Sequence, residues 1–469
     1  MNLKSKSKCH SKQIGKLLCV LFIALYISVC CLQNNDDTKY KTVIYVFLFI
    51  TTVIFDVLPT TVTCFLAIGL LPLLGLVSDM GDALIGFSNP VIAFIVASFG
   101  IVQALSNTSF VGRAMEKFLS GEHVDADQLT WKMMICTSLM SSIVSNVPTC
   151  VLSFTIAKKM LDVLPDEKKN AIAKKWMIGI PISSMIGGII TPVGSSVNIL
   201  ALSLLENQTG VRISFLQWMA MGFPIALIAI LVCWMLLKRL NENVKLEKNE
   251  TEKILSELHQ CEKNRSKDFR ALFYIGIMLA FWIASSWVKC LNVVNITVIG
   301  CAVMCIPHIG VVKIDDVIES INWKSVILLG SVLTIGTLLT RNNVLSMLSS
   351  EAIRKVSLHM PHLMLYLVIA FISFVLLIVI PVAPSMETFW IPLALSAFCN
   401  NGVNPALVTA IIAICACNCY LFPFDTVFLI TYGLGYYNLK DLFKVTIPLQ
   451  LCVVITCATV VYLTELILW

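Results

Sequence analysis

Charge is scarce in this chain. Asp, Glu, Lys and Arg make up 13% of its 469 residues, where a soluble domain carries roughly 25%. So little charge cannot cover a water-facing surface, so a sizeable soluble domain is excluded. Strings that carry enzyme chemistry are missing as well. No GxSxG, HExxH or GxGD occurs, and the six histidines (His10, His123, His259, His308, His359 and His362) fall near predicted ends and loops. An intramembrane enzyme has no nucleophile or metal set here, so the chain reads as not an enzyme. The 18 cysteines form no CxxC or Cys/His zinc spacing. Most sit inside apolar segments, as Cys136, Cys150, Cys290, Cys301, Cys305, Cys415, Cys417 and Cys419 do, and read as polarisable packing residues. The net charge of +6 sits in short loops and reads as membrane topology rather than nucleic-acid contact.

Long apolar runs are what the chain does have. Hydrophobic residues make up 58% of it, with a mean hydropathy of +0.86. A bilayer core needs about 20 such residues per helix. Backbone in lipid must pair internally, so the runs predict helices, and their length excludes a β-barrel. The expected fold is an all-α polytopic membrane protein of about eleven transmembrane helices and two re-entrant hairpins, arranged as two inverted repeats with broken helices.

Five lysines precede the apolar run Leu17–Leu32. It reads as a signal anchor, with a cleaved signal peptide ending near Cys30 or Cys31 as the alternative, and both leave residue 33 outside. Spans follow at Thr42–Leu58, Thr60–Val77 and Asn89–Ser109. The loop Ser78–Ser88 has Asp79 and Asp82 and no Lys or Arg, as an outside loop should. Residues 130–164 are apolar yet interrupted near Pro148, and six lysines follow between Lys158 and Lys175. A single crossing would put that charge outside. A hairpin that enters and leaves from the inside, with its tip at Ser145-Asn146-Val147-Pro148-Thr149, resolves the conflict. Trp176–Leu205 is too long for one straight crossing and is interrupted by Gly187-Gly188 and by Thr191-Pro192-Val193-Gly194-Ser195-Ser196.

After the span Met221–Leu237 and a mixed-charge linker, the plan repeats. Spans lie at Ala271–Val288, Val293–Ile306 and Ser325–Thr340, then a hairpin over 362–399 opening from the outside. A segment Pro405–Leu434 follows, broken at Phe422-Pro423-Phe424-Asp425, and then a last span, Val445–Leu468. Asn89–Leu105 aligns without gaps on Trp323–Leu339, and Ser214–Pro224 on Asn438–Pro448; the latter pair reads as an interfacial stretch feeding a final span through proline. The units are therefore N-terminal spans 1–58, a first repeat 59–237, a cytoplasmic linker 238–270 and a second repeat 271–469.

The breaks carry the chemistry. Unwound backbone in hydrocarbon costs several kcal/mol per unpaired group unless it lines a protein cavity. The first break gathers Ser141, Ser145, Asn146 and Thr149 with Gly194, Ser195, Ser196 and Asn198. Their oxygens suit a hard cation such as Na⁺, and half-helix N-termini suit an anion. The second gathers Ser385, Glu387 and Thr388 with Asn418, Pro423, Asp425 and Thr426. Carboxylates near the midplane are functional by default, and Glu387 and Asp425 could hold a cation or protons.

These residues resemble the divalent anion/sodium symporter family of the ion-transporter superfamily. The resemblance runs from about Thr60 to Pro448. It rests on Gly86-Phe-Ser-Asn-Pro-Val, Ser145-Asn146 with Thr149, Gly187-Gly188 through Gly194 and Asn198, Ile321-Asn-Trp-Lys, Leu421-Phe-Pro-Phe-Asp-Thr and Gly433-Leu-Gly-Tyr-Tyr. It implies an elevator-type carrier, usually a homodimer, in the plasma membrane, that takes up dicarboxylates, citrate or sulfate with Na⁺ and needs no organic cofactor. It implies a first sodium site at Ser141, Ser145, Asn146 and Gly194, and a substrate carboxylate at Ser145, Asn146 and Thr149. Ser195, Asn198, Ser385, Thr388, Pro423 and Thr426 complete the expected substrate shell. With the N-terminus inside, parity puts the C-terminus outside. The chain also departs from the family. The second Ser-Asn-Thr falls on Val382-Ala383-Pro384, Asp425 falls where a backbone ligand of the second sodium is expected, and Glu387 is an addition. The alternative function is a cation/proton exchanger using Glu387 and Asp425.

Overall fold

The computed structural model describes residues 16–28, 37–54, 57–106, 125–240, 265–288, 290–342, 360–380, 382–399, 403–418 and 426–468, with residues 13, 108, 244, 250 and 420 singly. The described residues are mostly helical and contain no strand. This is the all-α fold that the apolar runs require. The exterior is apolar too. Phe65, Leu73, Phe269, Trp287 and Ile467 are each more than half exposed, which water does not tolerate over a whole surface.

The chain begins with α1 (Lys16–Ser28), α2 (Asp37–Ile54) and α3 (Thr60–Leu73). A short α4 (Met80–Ala83) and a 3₁₀ turn (Ile85–Ser88) lead into α5 (Pro90–Ser106). Next come α6 (Ala126–Val144) and α7 (Asn146–Asp162), joined at Ser145 alone. Thr137 Oγ1 donates to Ser153 Oγ at 3.0 Å. These residues lie eight places either side of Ser145, so α7 folds back along α6 as the expected hairpin. Ser145 turns the chain with φ 96°, a left-handed value that costs a non-glycine residue about 1–2 kcal/mol.

The broken helix follows as α8 (Asp166–Gly188), a 3₁₀ turn (Pro192–Gly194) and α9 (Ser196–Thr209). Helix α10 (Phe215–Lys238) closes the half. Its start is written in a capping box, in which Ser214 and Gln217 each bond the other's backbone N–H.

The second half repeats the order. Helix α11 (Arg265–Ala284) starts inside the segment expected as linker, and α12 (Val293–Cys305), α13 (Ile314–Ser320) and α14 (Trp323–Arg341) follow. Helices α15 (His362–Val379) and α16 (Ala383–Phe398) form the second hairpin. Trp390 Nε1 donates to Ser373 Oγ at 2.9 Å, again about eight residues either side of the tip. The second broken helix is α17 (Pro405–Cys417) and α18 (Thr426–Tyr432), and α19 (Leu439–Leu468) ends the fold.

Pro224 and Pro448 lie inside the continuous helices α10 and α19. The stretches expected to be interfacial are therefore the first turns of the final spans. Helices α10 and α19 are each long and apolar enough to cross a bilayer, and α13 with α14, bent by 65°, makes a third such unit. The other apolar helices are shorter, such as the 13 residues of α12 and of α17. Breaks divide the runs, and charged end turns lower the average elsewhere.

Cross-half contacts tie the molecule together. Gly100 of α5 abuts Cys301 of α12, and Gly86 N donates to Thr334 Oγ1 of α14 at 3.1 Å. One apolar core runs through both halves. At the open end of the first hairpin, Lys175 of α8 and Asp127 of α6 form a buried ion pair at 2.6 Å, and Trp176 Nε1 donates to Thr130 Oγ1.

Candidate ion and substrate site

Side chains answer several of the backbone groups that the first break frees. Asn198 Nδ2 donates to Gly188 O at 2.7 Å and to Thr191 O at 3.1 Å. Trp218 Nε1 of α10 donates to Ile189 O at 3.0 Å. Thr191 Oγ1 donates to Ser142 O and accepts from Gly194 N at 3.1 Å. Asn198, Trp218 and Thr191 thus replace part of the bonding that the helix gives up between Gly188 and Ser196, as burial demands.

Two glycines let the hairpin approach the break. A Cβ on Gly187 would overlap Ser138 O, with the Ser138 Cα at 2.7 Å. One on Gly188 would overlap the Asn146 carboxamide, with its Cγ at 2.8 Å and Nδ2 at 2.9 Å. Ser184 Oγ donates to Asn146 O and holds the hairpin tip against α8.

One end of the Asn146 carboxamide faces three oxygens. Ser141 Oγ lies at 3.0 Å, Ser184 O at 3.1 Å and Gly194 O at 3.2 Å. Ser141 is fully buried and Asn146 nearly so. Two of the three oxygens are carbonyls that only accept. Such a cluster takes either an N–H donor or a hard cation, and an all-oxygen donor set fits Na⁺. Asn146 is the first residue of α7 and Gly194 lies two residues before α9, so two helix N-termini begin here.

The second half reaches into the same place. The other end of the Asn146 carboxamide lies 3.4 Å from Cys417 Sγ, at the last residue of α17, and that thiol lies 3.8 Å from Met185 O. Cys150 Sγ lies 3.6 Å from Val427 O of α18. Both flanks of the second break therefore rest on the first turns of α7. The helix ends that flank the second break thus meet the first hairpin inside the protein.

Among the expected site residues, Ser141, Asn146 and Gly194 come together as oxygen neighbours. Ser145 supplies the backbone turn. Thr149 is fully buried one turn into α7, and its Oγ1 has no hydrogen-bond partner among the described residues. Ser195 caps α9, accepting from Val197 N at 3.3 Å. Asn198 braces the break and keeps an unpartnered Oδ1 among the described residues.

Ser385 and Thr388 lie elsewhere. They line a narrow crevice, with room for about one water molecule, against Val46, Phe49, Val332 and Leu339 of α2 and α14. Thr388 Oγ1 is already bonded to Pro384 O at 2.8 Å. Glu387 is fully buried, and neither carboxyl oxygen has a hydrogen-bond partner among the described residues. Asn418 is engaged locally, donating to Ile414 O and accepting from Tyr420 OH. Pro423 and Asp425 lie outside the described residues, as does the side chain of Thr426.

Sequence reasoning missed Ser184 and Cys417. A Ser183-Ser184 pair one turn before Gly187-Gly188 in an apolar helix was the available signal for the first. Nothing local marked Cys417.

Residues 46–413 match the citrate transporter family. The chain belongs to that family. Its sequence is similar to the sodium-dependent dicarboxylate transporter SdcS of Staphylococcus saprophyticus, 22% identical over 96% of this chain and 90% of that protein. It is also similar to a membrane protein of Cupriavidus necator, 23% identical over 56% of this chain; the chain spans about half of that relative, 52% of its length. The solved structure of the Alcanivorax borkumensis YdaH transporter shares the fold, with a TM-score of 0.52 at 13% identity over 98% of this chain and 99% of that one. Family and apolar exterior agree on an integral membrane transporter.

Proposed function

We propose that this chain is a sodium-coupled secondary carrier of a small anion of the dicarboxylate, citrate or sulfate class, working as an elevator. The observation that carries the reading is the cluster of oxygens around Asn146, where Ser141 Oγ, Ser184 O and Gly194 O lie 3.0–3.2 Å from its carboxamide. Na⁺ is the coupling ion, held by Ser141, Asn146 and Gly194 with Ser184 O, while Ser145 shapes the tip. A substrate carboxylate or oxyanion binds at the N-termini of α7 and α9, where backbone N–H groups and the helix dipole favour negative charge. The hydroxyl of Thr149 adds a donor. The sodium-dependent relative and the family match point the same way.

The elements order into scaffold and moving parts. Both hairpins, both broken helices, α10 and α19 form the moving unit, and the remaining helices form the support. The protein works in the plasma membrane as a homodimer, with its N-terminus in the cytoplasm and its C-terminus outside.

Uptake into proteoliposomes tests the reading. Labelled citrate, succinate and sulfate should accumulate in Na⁺ medium and not in choline medium, and Asn146→Ala should abolish the Na⁺-dependent part. Equal uptake in choline would remove sodium coupling.

One observation favours a second reading, cation/proton exchange. Glu387 is fully buried without a hydrogen-bond partner among the described residues, a setting that a carboxylate occupies at several kcal/mol unless a cation or proton joins it. Sodium-driven proton efflux without any organic anion, lost in Glu387→Gln, would establish exchange. Exchange unchanged in that variant would exclude Glu387 from it.

A further inference from the structure

The Asn146 carboxamide has two ends with different surroundings. One faces Ser141 Oγ, Ser184 O and Gly194 O at 3.0–3.2 Å. The other lies 3.4 Å from Cys417 Sγ, which stands 3.8 Å from Met185 O. An amide can present either end to the oxygen cluster, and each choice has its own balance of donors and acceptors.

With Nδ2 in the cluster, the amide donates to Gly194 O, Ser184 O and Ser141 Oγ. Its oxygen then faces Cys417, whose S–H can donate to it. With Oδ1 in the cluster, it accepts from Ser141 Oγ at 3.0 Å but meets the carbonyl oxygens of Ser184 and Gly194 as a third pure acceptor, which is unfavourable until a cation neutralises their repulsion. Nδ2 then donates to Cys417 Sγ, and the thiol proton turns to Met185 O. A thiol both donates and accepts, so it partners either orientation.

We propose that Cys417 is a positioning residue for the cation, the partner that keeps the Asn146 amide bonded in both orientations while the amide makes a half-turn on cation arrival. The proposal rests on the reading of the cluster as the sodium site. The half-turn changes a bond between the first hairpin and the end of α17. Cation arrival at one break is thereby felt at the other, in the opposite half of the molecule. The coupling is carried by a discrete two-state group and not by a continuous deformation.

Sodium titration of the thermal stability of the full-length purified protein tests this without any transport assay. Cys417→Ala removes the partner from both orientations, and the cation-bound one loses more, because it is left with a buried amide N–H unbonded where the other leaves only a carbonyl oxygen. The Na⁺ concentration for half-maximal stabilisation should rise about 5- to 10-fold, on the scale of one buried N–H left without a partner. Cys417→Ser, which also donates and accepts, should titrate within about threefold of the parent. Asn146→Ala should show no sodium response at all. If Cys417→Ala titrates like the parent while Asn146→Ala does not respond, the positioning role is wrong and the sodium site stands. If Asn146→Ala keeps its sodium response, the sodium site itself is wrong and the proposal falls with it. Should Cys417→Ala not fold, Cys417→Ser decides, and a rise beyond tenfold in that variant overturns the proposal.

Discussion

Gly188→Ala probes the candidate ion site most directly. The added Cβ would overlap Asn146 Oδ1 and stand 2.8 Å from its Cγ and 2.9 Å from its Nδ2. Ordinary carbon contacts lie near 3.5–4.0 Å, so the carboxamide must retreat by about 1 Å. The hairpin tip cannot follow it, because Ser184 Oγ anchors the Asn146 carbonyl. The side chain alone has to turn away, and a displacement beyond about 0.5 Å already degrades a preorganised site. Overpacking of this kind costs about 1–3 kcal/mol, which at about 1.4 kcal/mol per decade is a 5- to 140-fold loss of cation affinity. The assay is the Na⁺ dependence of thermal stability and of anion uptake. Gly276→Ala is the control, since a Cβ there meets no atom within 4 Å. A Gly188→Ala variant with the parent's sodium titration would refute the idea that the Asn146 amide occupies the ion site.

Three further outcomes follow from the same geometry. Asp127→Asn leaves Lys175 charged and buried without its partner, so thermal denaturation should show a loss of about 3–5 kcal/mol, and Asp127→Leu with Lys175→Met should recover most of it. Trp390→Phe deletes the 2.9 Å bond to Ser373 across the second hairpin while Ser373 Oγ keeps its own bond to Ile369 O; a stability loss of about 1 kcal/mol is expected in denaturation, and a larger sensitivity of this hairpin to proteolysis should accompany it. Between α4 and α14, Ser78 and Arg341 hydrogen-bond Asp82 and hold its carboxyl below the usual range. The folded state therefore binds that proton less readily than the unfolded chain, so the contribution is present above the unfolded pKa of about 3.9 and fades as pH falls through the lower folded value. The stability gap between the parent and Asp82→Asn should narrow in melts taken from pH 6 down to pH 3, and added salt should shrink it throughout because the pair is exposed.

The hairpins and breaks were legible because charge and length disagree there. Lysines on both sides of residues 130–164 cannot lie on opposite faces of a bilayer without violating topology, and a 30-residue apolar run cannot be one straight span. The structure bears this out at Thr137–Ser153 and at Gly188–Ser196. Proline was a poorer guide. Pro192 marks a true break, whereas Pro224 and Pro448 sit inside continuous helices. At Pro192 two glycines precede the ring, and Asn198, Trp218 and Thr191 wait to bond the freed carbonyls and amides. No sequence pattern announces such partners when they come from 29 residues away, as Trp218 does for Ile189.

Composition and spacing by themselves determined the helical membrane class, the paired hairpins and broken helices, and the small polar residues that gather at the first break. Lipid leaves backbone no other way to be satisfied, so run length and interruption are enough. Which polar atoms touch was decided only in three dimensions. Ser184 O and Gly194 O face Asn146 because glycine at 187 and 188 lets two backbones meet. Cys417, 271 residues on, reaches the same amide. Ser385 and Thr388, similar in kind to the first cluster, face α2 and α14 instead. Contacts between opposite halves depend on how two helix sets pack, and packing is set by shape at close range, which a linear pattern of residue types does not record.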